Sequence, residues 1–242
     1  MRLRRETAEA VADPTRGVEL RGVGHAYGER VVLRDVDLRL TERRVGVVGA
    51  NGSGKSTFAR LLNGLVQPTS GSVLVDGLDT RTALREVRRR VGFVFQDPDA
   101  QIVYPTVAED VAFGLENQGV PVAERAARVA EVLERYGLDG HADHPAHLLS
   151  GGQKQLLAIA GVLVMRPARI VFDEPTTLLD LVNTRRVAQV IDELEQQVVV
   201  VTHDLELLER FDRVLVIDGG RVVEDGAPDS SIAAYRALVV HR

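Results

Sequence analysis

Three short stretches of this chain combine residue types that handle phosphate. GANGSGKST, Gly49 to Thr57, fits the pattern G-x-x-x-x-G-K-[ST], follows an apolar run and opens a helical pattern. In such a loop the backbone N–H groups of Gly49, Ala50, Asn51, Gly52, Ser53 and Gly54 wrap phosphate oxygens. Lys55 neutralises the outer phosphates, and Ser56, beside Thr57, offers its hydroxyl to Mg²⁺. RIVFDEP places Asp173 and Glu174 where an apolar run stops at Pro175. One carboxylate there holds Mg²⁺, directly or through water; the next orients and polarises an attacking water. LLSGGQKQLL, Leu148 to Leu157, is a second Gly-rich turn leading into a helix. Ser150, Gly151, Gly152 and Gln153 thus make a second candidate phosphate turn in a chain that already has one.

The elements that must position these residues are legible in the hydropathy pattern. VGVV (Val45 to Val48), VGFVF (Val91 to Phe95), RIVF (Arg169 to Phe172) and VVVV (Val198 to Val201) are short, continuous apolar runs. Such runs suit central strands of a parallel sheet covered on both faces. Helical segments lie between them, including Lys55 to Leu62 and Asn183 to Gln196, which predicts a doubly wound α/β core. Ligands of open parallel sheets bind beyond the carboxyl ends of the strands. Four predicted strands end in the loop at Gly49, in Gln96, in Asp173-Glu174 and in His203, so these polar groups share one edge. VVLRDVDLRL alternates as a half-buried antiparallel strand, and Gly17 to Leu40 reads as strands and turns. VLVIDGGRVV reads as a hairpin turning at Gly219-Gly220. Between Gln96 and Ser150 strand signals fade. Thr106 with Glu109 forms a capping-box pattern, and Val122, Ala126, Val129, Leu133 and Tyr136 fall on one helical stripe closed by Gly137, which predicts an inserted helical subdomain.

Since one nucleotide site is complete without Ser150 to Gly152, these residues act on another molecule's nucleotide if they bind phosphate at all. That arrangement predicts a symmetric head-to-tail pair sandwiching two nucleotides. A net charge of -5 argues against a broad nucleic-acid-binding face. The absence of cysteine excludes disulfides, Fe–S clusters and cysteine-based zinc sites. The longest apolar run, Leu156 to Met165, is too short to span a membrane, and the first residues lack the apolar stretch of a signal peptide. Residues 1–16 read as a loose polar tail. His141, His144 and His147 read as a solvated linker, because Pro145 breaks any common helical face and no carboxylate frame accompanies them.

In this order the motifs resemble the ATP-binding-cassette (ABC) ATPases, over about residues 17–226. The resemblance implies a P-loop NTPase (RecA-like) α/β core, an N-terminal antiparallel β subdomain and an α-helical subdomain inserted at about 97–150, with residues 227–242 as a C-terminal helical tail. Tyr27 resembles the adenine-stacking aromatic, Gln96 the Q-loop, and LSGGQKQ the signature motif that acts on the partner subunit's ATP. Asp173 and Glu174 resemble the Walker B aspartate and catalytic glutamate, Asp180 the D-loop aspartate and His203 the switch histidine. The family pattern implies ATP and Mg²⁺, the metal held by Ser56, Asp173 and Gln96, with Glu174, His203 and Lys55 as catalytic residues. The D-loop departs from the pattern: Thr177-Leu178-Leu179-Asp180 lacks the usual small residue at its start. Phe95 to Val120 resembles ATPase subunits of energy-coupling-factor importers for vitamins and transition-metal ions, with the biotin branch nearest. That likeness implies a homodimer or a pair with a related ATPase, at the cytoplasmic face of the cell membrane. It also implies a membrane scaffold (T-type) protein, a substrate-capture (S-type) protein and no nucleic acid. Asp99, Gln101, Val107, Val111 and Leu115 then face a groove for the scaffold's coupling helices. The alternative is a soluble ABC ATPase of DNA repair, Fe–S assembly or translation. The chain has no long coiled-coil insertion and no basic excess to favour it.

Overall fold

The computed structural model describes residues 17–240; the N-terminal tail and the last two residues lie outside the described residues. Two sheets organise the chain. The first is antiparallel, in the order β2 (Arg30–Leu40), β1 (Val18–Tyr27), β4 (Ser70–Val75) and β5 (Leu78–Asp79). The second has six strands in the order β10 (Arg221–Gly226), β9 (Arg213–Asp218), β3 (Arg44–Val48), β8 (Gln197–Val201), β7 (Arg169–Asp173) and β6 (Val91–Val94). All its pairs are parallel except β9–β10. The four apolar runs are therefore β3, β6, β7 and β8. The predicted hairpin is present as β9–β10, but β9 also pairs in parallel with β3 and joins the core sheet, a role that its Gly-Gly turn does not announce.

The runs are unbroken because both faces of the sheet are covered. Side chains alternate along a strand. Ile170, Phe172, Val198, Val200, Val214 and Val216 point into a core shared with the helices α5 (Gly151–Leu163) and α6 (Leu181–Glu193). Val171, Val199, Val201, Leu215 and Ile217 point into a second core closed by α1 (Lys55–Leu62) and the antiparallel sheet. At Gly46 a Cβ would meet Leu208 at 2.7 Å, so a larger residue there would displace the packed leucine. Among the described residues no helix is long and apolar enough to cross a membrane.

The helical insertion holds α3 (Val107–Gln118) and α4 (Val122–Arg135), after α2 (Leu84–Arg90) has closed the first half. Thr106 caps α3 in the expected capping box with Glu109. The stripe on α4 is only half buried. Val129, Leu133 and Tyr136 are core, whereas Val122 and Ala126 are exposed. After the four-residue helix α7 (Leu205–Leu208), the last described element is α8 (Pro228–Val240), beside β9 and β10.

One ion-pair cluster ties the two halves. Asp76, at the β4–β5 turn, accepts hydrogen bonds from Arg169 of β7 at 2.5 and 2.8 Å, from Gly17 N–H at 3.0 Å and from Arg90 at 3.2 Å. Burial pushes its carboxyl up, but these donors outweigh burial and hold it below the usual carboxylate range. Its stabilising contribution is therefore present above the ordinary carboxylate range and is lost as pH falls through the lowered value. Asp76→Ala leaves the Arg169 guanidinium, whose side chain is 8% exposed, with its hydrogen bond to Gln197 but without its carboxylate partner. We expect a loss of about 3 kcal/mol in urea unfolding at neutral pH, shrinking on acidification.

Candidate nucleotide site

The loop from Gly49 to Gly54 joins the end of β3 to α1 and is shaped by close backbone approaches. A Cβ on Gly49 would lie 2.2 Å from the carbonyl oxygen of Ile217 on β9. Gly54 caps α1 at φ 110°, with Leu33 and the Val32 carbonyl within 3 Å of where a Cβ would stand. Lys55 is buried; its Nζ donates to the carbonyls of Gly49 at 2.8 Å and Ala50 at 3.2 Å, which keeps the ammonium inside the loop. Burial pulls its pKa down, against the attraction of Glu174 and Asp173.

Behind the loop, β7 delivers Asp173 and Glu174. Asp173 is 1% exposed and accepts a hydrogen bond from Ser56 Oγ at 2.9 Å, with Arg60 3.7 Å away. Burial pushes its carboxyl up; the Ser56 hydrogen bond, Arg60 and Lys55 counter this only in part. Glu174 has a left-handed backbone, φ 53°, rare for a residue with a side chain. Its N–H still bonds the Val201 carbonyl, so the turn is anchored to β8 while the carboxylate swings toward the sheet edge. There Oε2 accepts from Thr177 Oγ1 at 3.1 Å and from His203 Nδ1 at 2.8 Å.

Tyr27, Asn51, Gly52, Gly54, Lys55, Ser56, Thr57, Gln96, Glu174 and His203 line one open cleft of about 610 Å³. Tyr27 stands half exposed at its rim, edge-on to His25 at 4.5 Å. Thr177, the first residue of the D-loop pattern, lines the same cleft, as do Arg30 and Val32, which no motif singles out. Arg30 comes three positions after Tyr27 across the β1–β2 turn, a signal no motif carries.

Ser56, which lines the cleft, and Asp173, buried behind it, supply hard oxygen donors in contact with each other, and a divalent cation beside them would relieve the cost of burying the Asp173 charge. The residues fit Mg²⁺.

The second Gly-rich turn lies elsewhere. Ser150 caps α5 in a full capping box with Gln153, and neither it nor Gly151 or Gly152 lines the nucleotide cleft. Gly151 lines a separate hollow of about 130 Å³ with Gln96, Asp99 and Leu178. Gly152 packs on Asn183, whose backbone and side chain both bond Asp180, the N-cap of α6.

Four of the five residues expected in the groove face inward. Val107, Val111 and Leu115 are fully buried in the helical core, because their four-residue spacing puts them on the face of α3 packed against α5. Gln101 also faces inward, accepting from Phe95 N–H at 3.1 Å and donating to the Ala158 carbonyl at 2.8 Å. Asp99 is exposed and paired with Lys154 at 2.7 Å. Val103 and Phe113 are the exposed large apolar side chains of this segment, the Phe113 ring tilted 41° against Tyr104 at 5.1 Å. The histidine segment is less solvated than its sequence suggests, since His141 contacts Gln153; no metal cluster occurs among the described residues.

The comparisons with known proteins agree with this architecture. The family described as ABC transporter matches residues 33–177. A protein of Deinococcus radiodurans, provisionally named an ABC transporter ATP-binding protein, is 64% identical over 90% of this chain and 97% of its own. The biotin transport ATP-binding protein BioM of Rhizobium etli is 46% identical over 91% of this chain and 98% of its own. CbiO1 of Clostridium perfringens, described as part of the ABC transporter complex CbiONQ, superposes with a TM-score of 0.78 at 33% identity, covering 93% of each chain. The chain belongs to the ABC transporter family and is one of its ATPases.

Proposed function

We propose that this chain is the ATP-hydrolysing motor of an energy-coupling-factor importer, working as a dimer beneath a membrane scaffold and a substrate-capture protein. Biotin is the favoured cargo, on kinship with a biotin transport subunit. The observation that carries the dimer is the separation of the two phosphate turns: Ser150 to Gly152 lie outside the cleft that holds the loop at Gly49 to Thr57. They are free to meet the ATP of a partner.

In this reading the loop N–H groups and Lys55 hold the phosphates, and Tyr27 stacks on the base. Ser56, Asp173 and Gln96 would hold Mg²⁺, which when bound neutralises phosphate charge. Glu174 polarises the attacking water, its carboxylate steadied by Thr177 and His203. Closure brings Ser150 of each subunit onto its partner's phosphates, and Asp180 supports that turn through Asn183 and Gly152. Reopening after hydrolysis moves the surface around Asp99, Val103 and Phe113, which receives the scaffold's helices at the cytoplasmic face of the membrane.

The test is to tag the chain in its own host, solubilise the membranes gently and identify what co-purifies. A polytopic scaffold with a small hydrophobic capture protein is expected, and the ligand of the latter names the cargo. Soluble partners alone, with the chain absent from membranes, would overturn the importer reading.

A further inference from the structure

His141 sits where the signature turn is fixed, a position that neither the motif pattern nor the nucleotide cleft explains. Gln153 uses its whole amide. Its Oε1 accepts the Ser150 N–H at 2.9 Å, and its own backbone N–H bonds Ser150 Oγ at 3.3 Å. Since a backbone N–H can only donate, the amide oxygen must face Ser150, and the NH₂ is directed the other way. There Gln153 Nε2 lies 3.1 Å from His141 Nε2. An amide nitrogen donates, so the ring nitrogen must accept, which places the imidazole proton on Nδ1. That Nδ1 is buried and has no hydrogen-bond partner. An unpaired buried N–H is costly, and the ring holds this tautomer through the Gln153 contact despite that cost.

The ring is held by more than this bond. His141 ends a 3₁₀ turn begun at Asp139, with its N–H on the carbonyl of the fully buried Leu138. His144 lies edge-on to it at 5.1 Å. The carbonyls of Ala142 and His144 then take the N–H groups of Ala108 and Val107 in the first turn of α3. One short loop thereby links the start of α3 to the cap of α5, and the His141 ring is its contact with Gln153.

We propose that His141 is a positioning residue for the signature turn, its neutral imidazole accepting from Gln153 so that Ser150 and the α5 N-terminus are preset to receive a partner's ATP. The proposal rests on the reading of Ser150 to Gln153 as a turn acting in trans. A bystander histidine would leave turnover untouched. A positioning residue slows turnover without weakening ATP binding in its own subunit, because the loop at Lys55 is elsewhere.

The test compares the full-length wild type with His141→Phe, His141→Asn, His141→Gln and Ser150→Ala. It measures steady-state phosphate release, the Kd for a fluorescent ATP analogue and the melting temperature. Phe removes the acceptor, and the Asn amide is one bond too short to reach Gln153. Both should lower kcat about five- to tenfold with Kd and melting temperature unchanged. Gln presents an amide oxygen where Nε2 stood and should restore turnover to within about twofold of wild type. Wild-type turnover in both His141→Phe and His141→Asn overturns the proposal. So does a His141→Gln variant as slow as they are. If Ser150→Ala keeps wild-type turnover, the trans reading of the signature turn has failed instead, and the His141 proposal with it.

Discussion

Replacing Glu174 with Gln should abolish most ATP turnover, by about 10²–10³-fold, while the Kd for an ATP analogue stays within about twofold of wild type. The substitution is nearly isosteric and leaves an oxygen able to accept from Thr177 and His203, so the left-handed turn after β7 keeps its anchors. The variant lacks the negative charge that draws a proton from the attacking water. Nothing that grips phosphate is touched, since Lys55 and the glycine loop make their contacts at the end of β3. The same variant should accumulate as an ATP-bound pair, because closure no longer leads to hydrolysis. Phosphate release and size-exclusion chromatography with ATP measure the two effects. Wild-type turnover would remove Glu174 from the water-activating role.

Asp173→Asn should be as damaging to catalysis and opposite in its effect on stability. The Asp173 carboxyl is buried and its pKa raised, so the folded chain holds that proton more tightly than the unfolded chain does. At low pH the carboxyl is protonated in both states and makes no difference; as pH rises from the ordinary carboxylate range through the raised value, the unfolded chain ionises first and stability is lost. Ionising this buried carboxyl thus costs stability, a cost kept for function. Asn preserves the Ser56 contact without that charge and should melt at or above the wild-type temperature. It should also lose about 100-fold or more in Mg²⁺-dependent turnover. In the wild type, the Mg²⁺ concentration for half-maximal rate should climb on acidification at a higher pH than an exposed carboxylate would dictate, because proton and cation compete for Asp173. A variant that keeps turnover, or unfolds, would show that Asp173 is structural.

Much of this site is readable from residue order because a parallel sheet leaves little freedom. Short continuous apolar runs suit central strands, and in a parallel sheet the residue after each run emerges at one edge; so Lys55, Gln96, Glu174 and His203 arrive in one cleft. The faces of helices are less determined. Val107, Val111 and Leu115 announce an apolar stripe, but a stripe suits a partner's groove as well as the chain's own core, and here α5 takes it. Phe113 and Val103 lie off that stripe and carry no periodic signal. β9 is hidden as a core strand because its Gly219-Gly220 turn advertises a hairpin, while its pairing with β3 depends on residues far upstream. His141 reads as solvated for a similar reason: nothing local in HADHPAHLL points to Gln153.

The strand order carries a consequence for how the molecule is made. β3, which presents the phosphate loop, has two neighbours in its sheet, β8 and β9; Arg44 pairs with Val198, and Val45 with Arg213. Neither partner exists on a growing chain until synthesis has passed the whole helical insertion. Such distant pairing slows folding, because long loops must close before any contact rewards them. The antiparallel β1–β2 ribbon forms early from local contacts, whereas β3 waits, apolar on both faces, for most of translation. That interval is when the chain is most exposed to aggregation and most dependent on chaperones, and it ends only with β9.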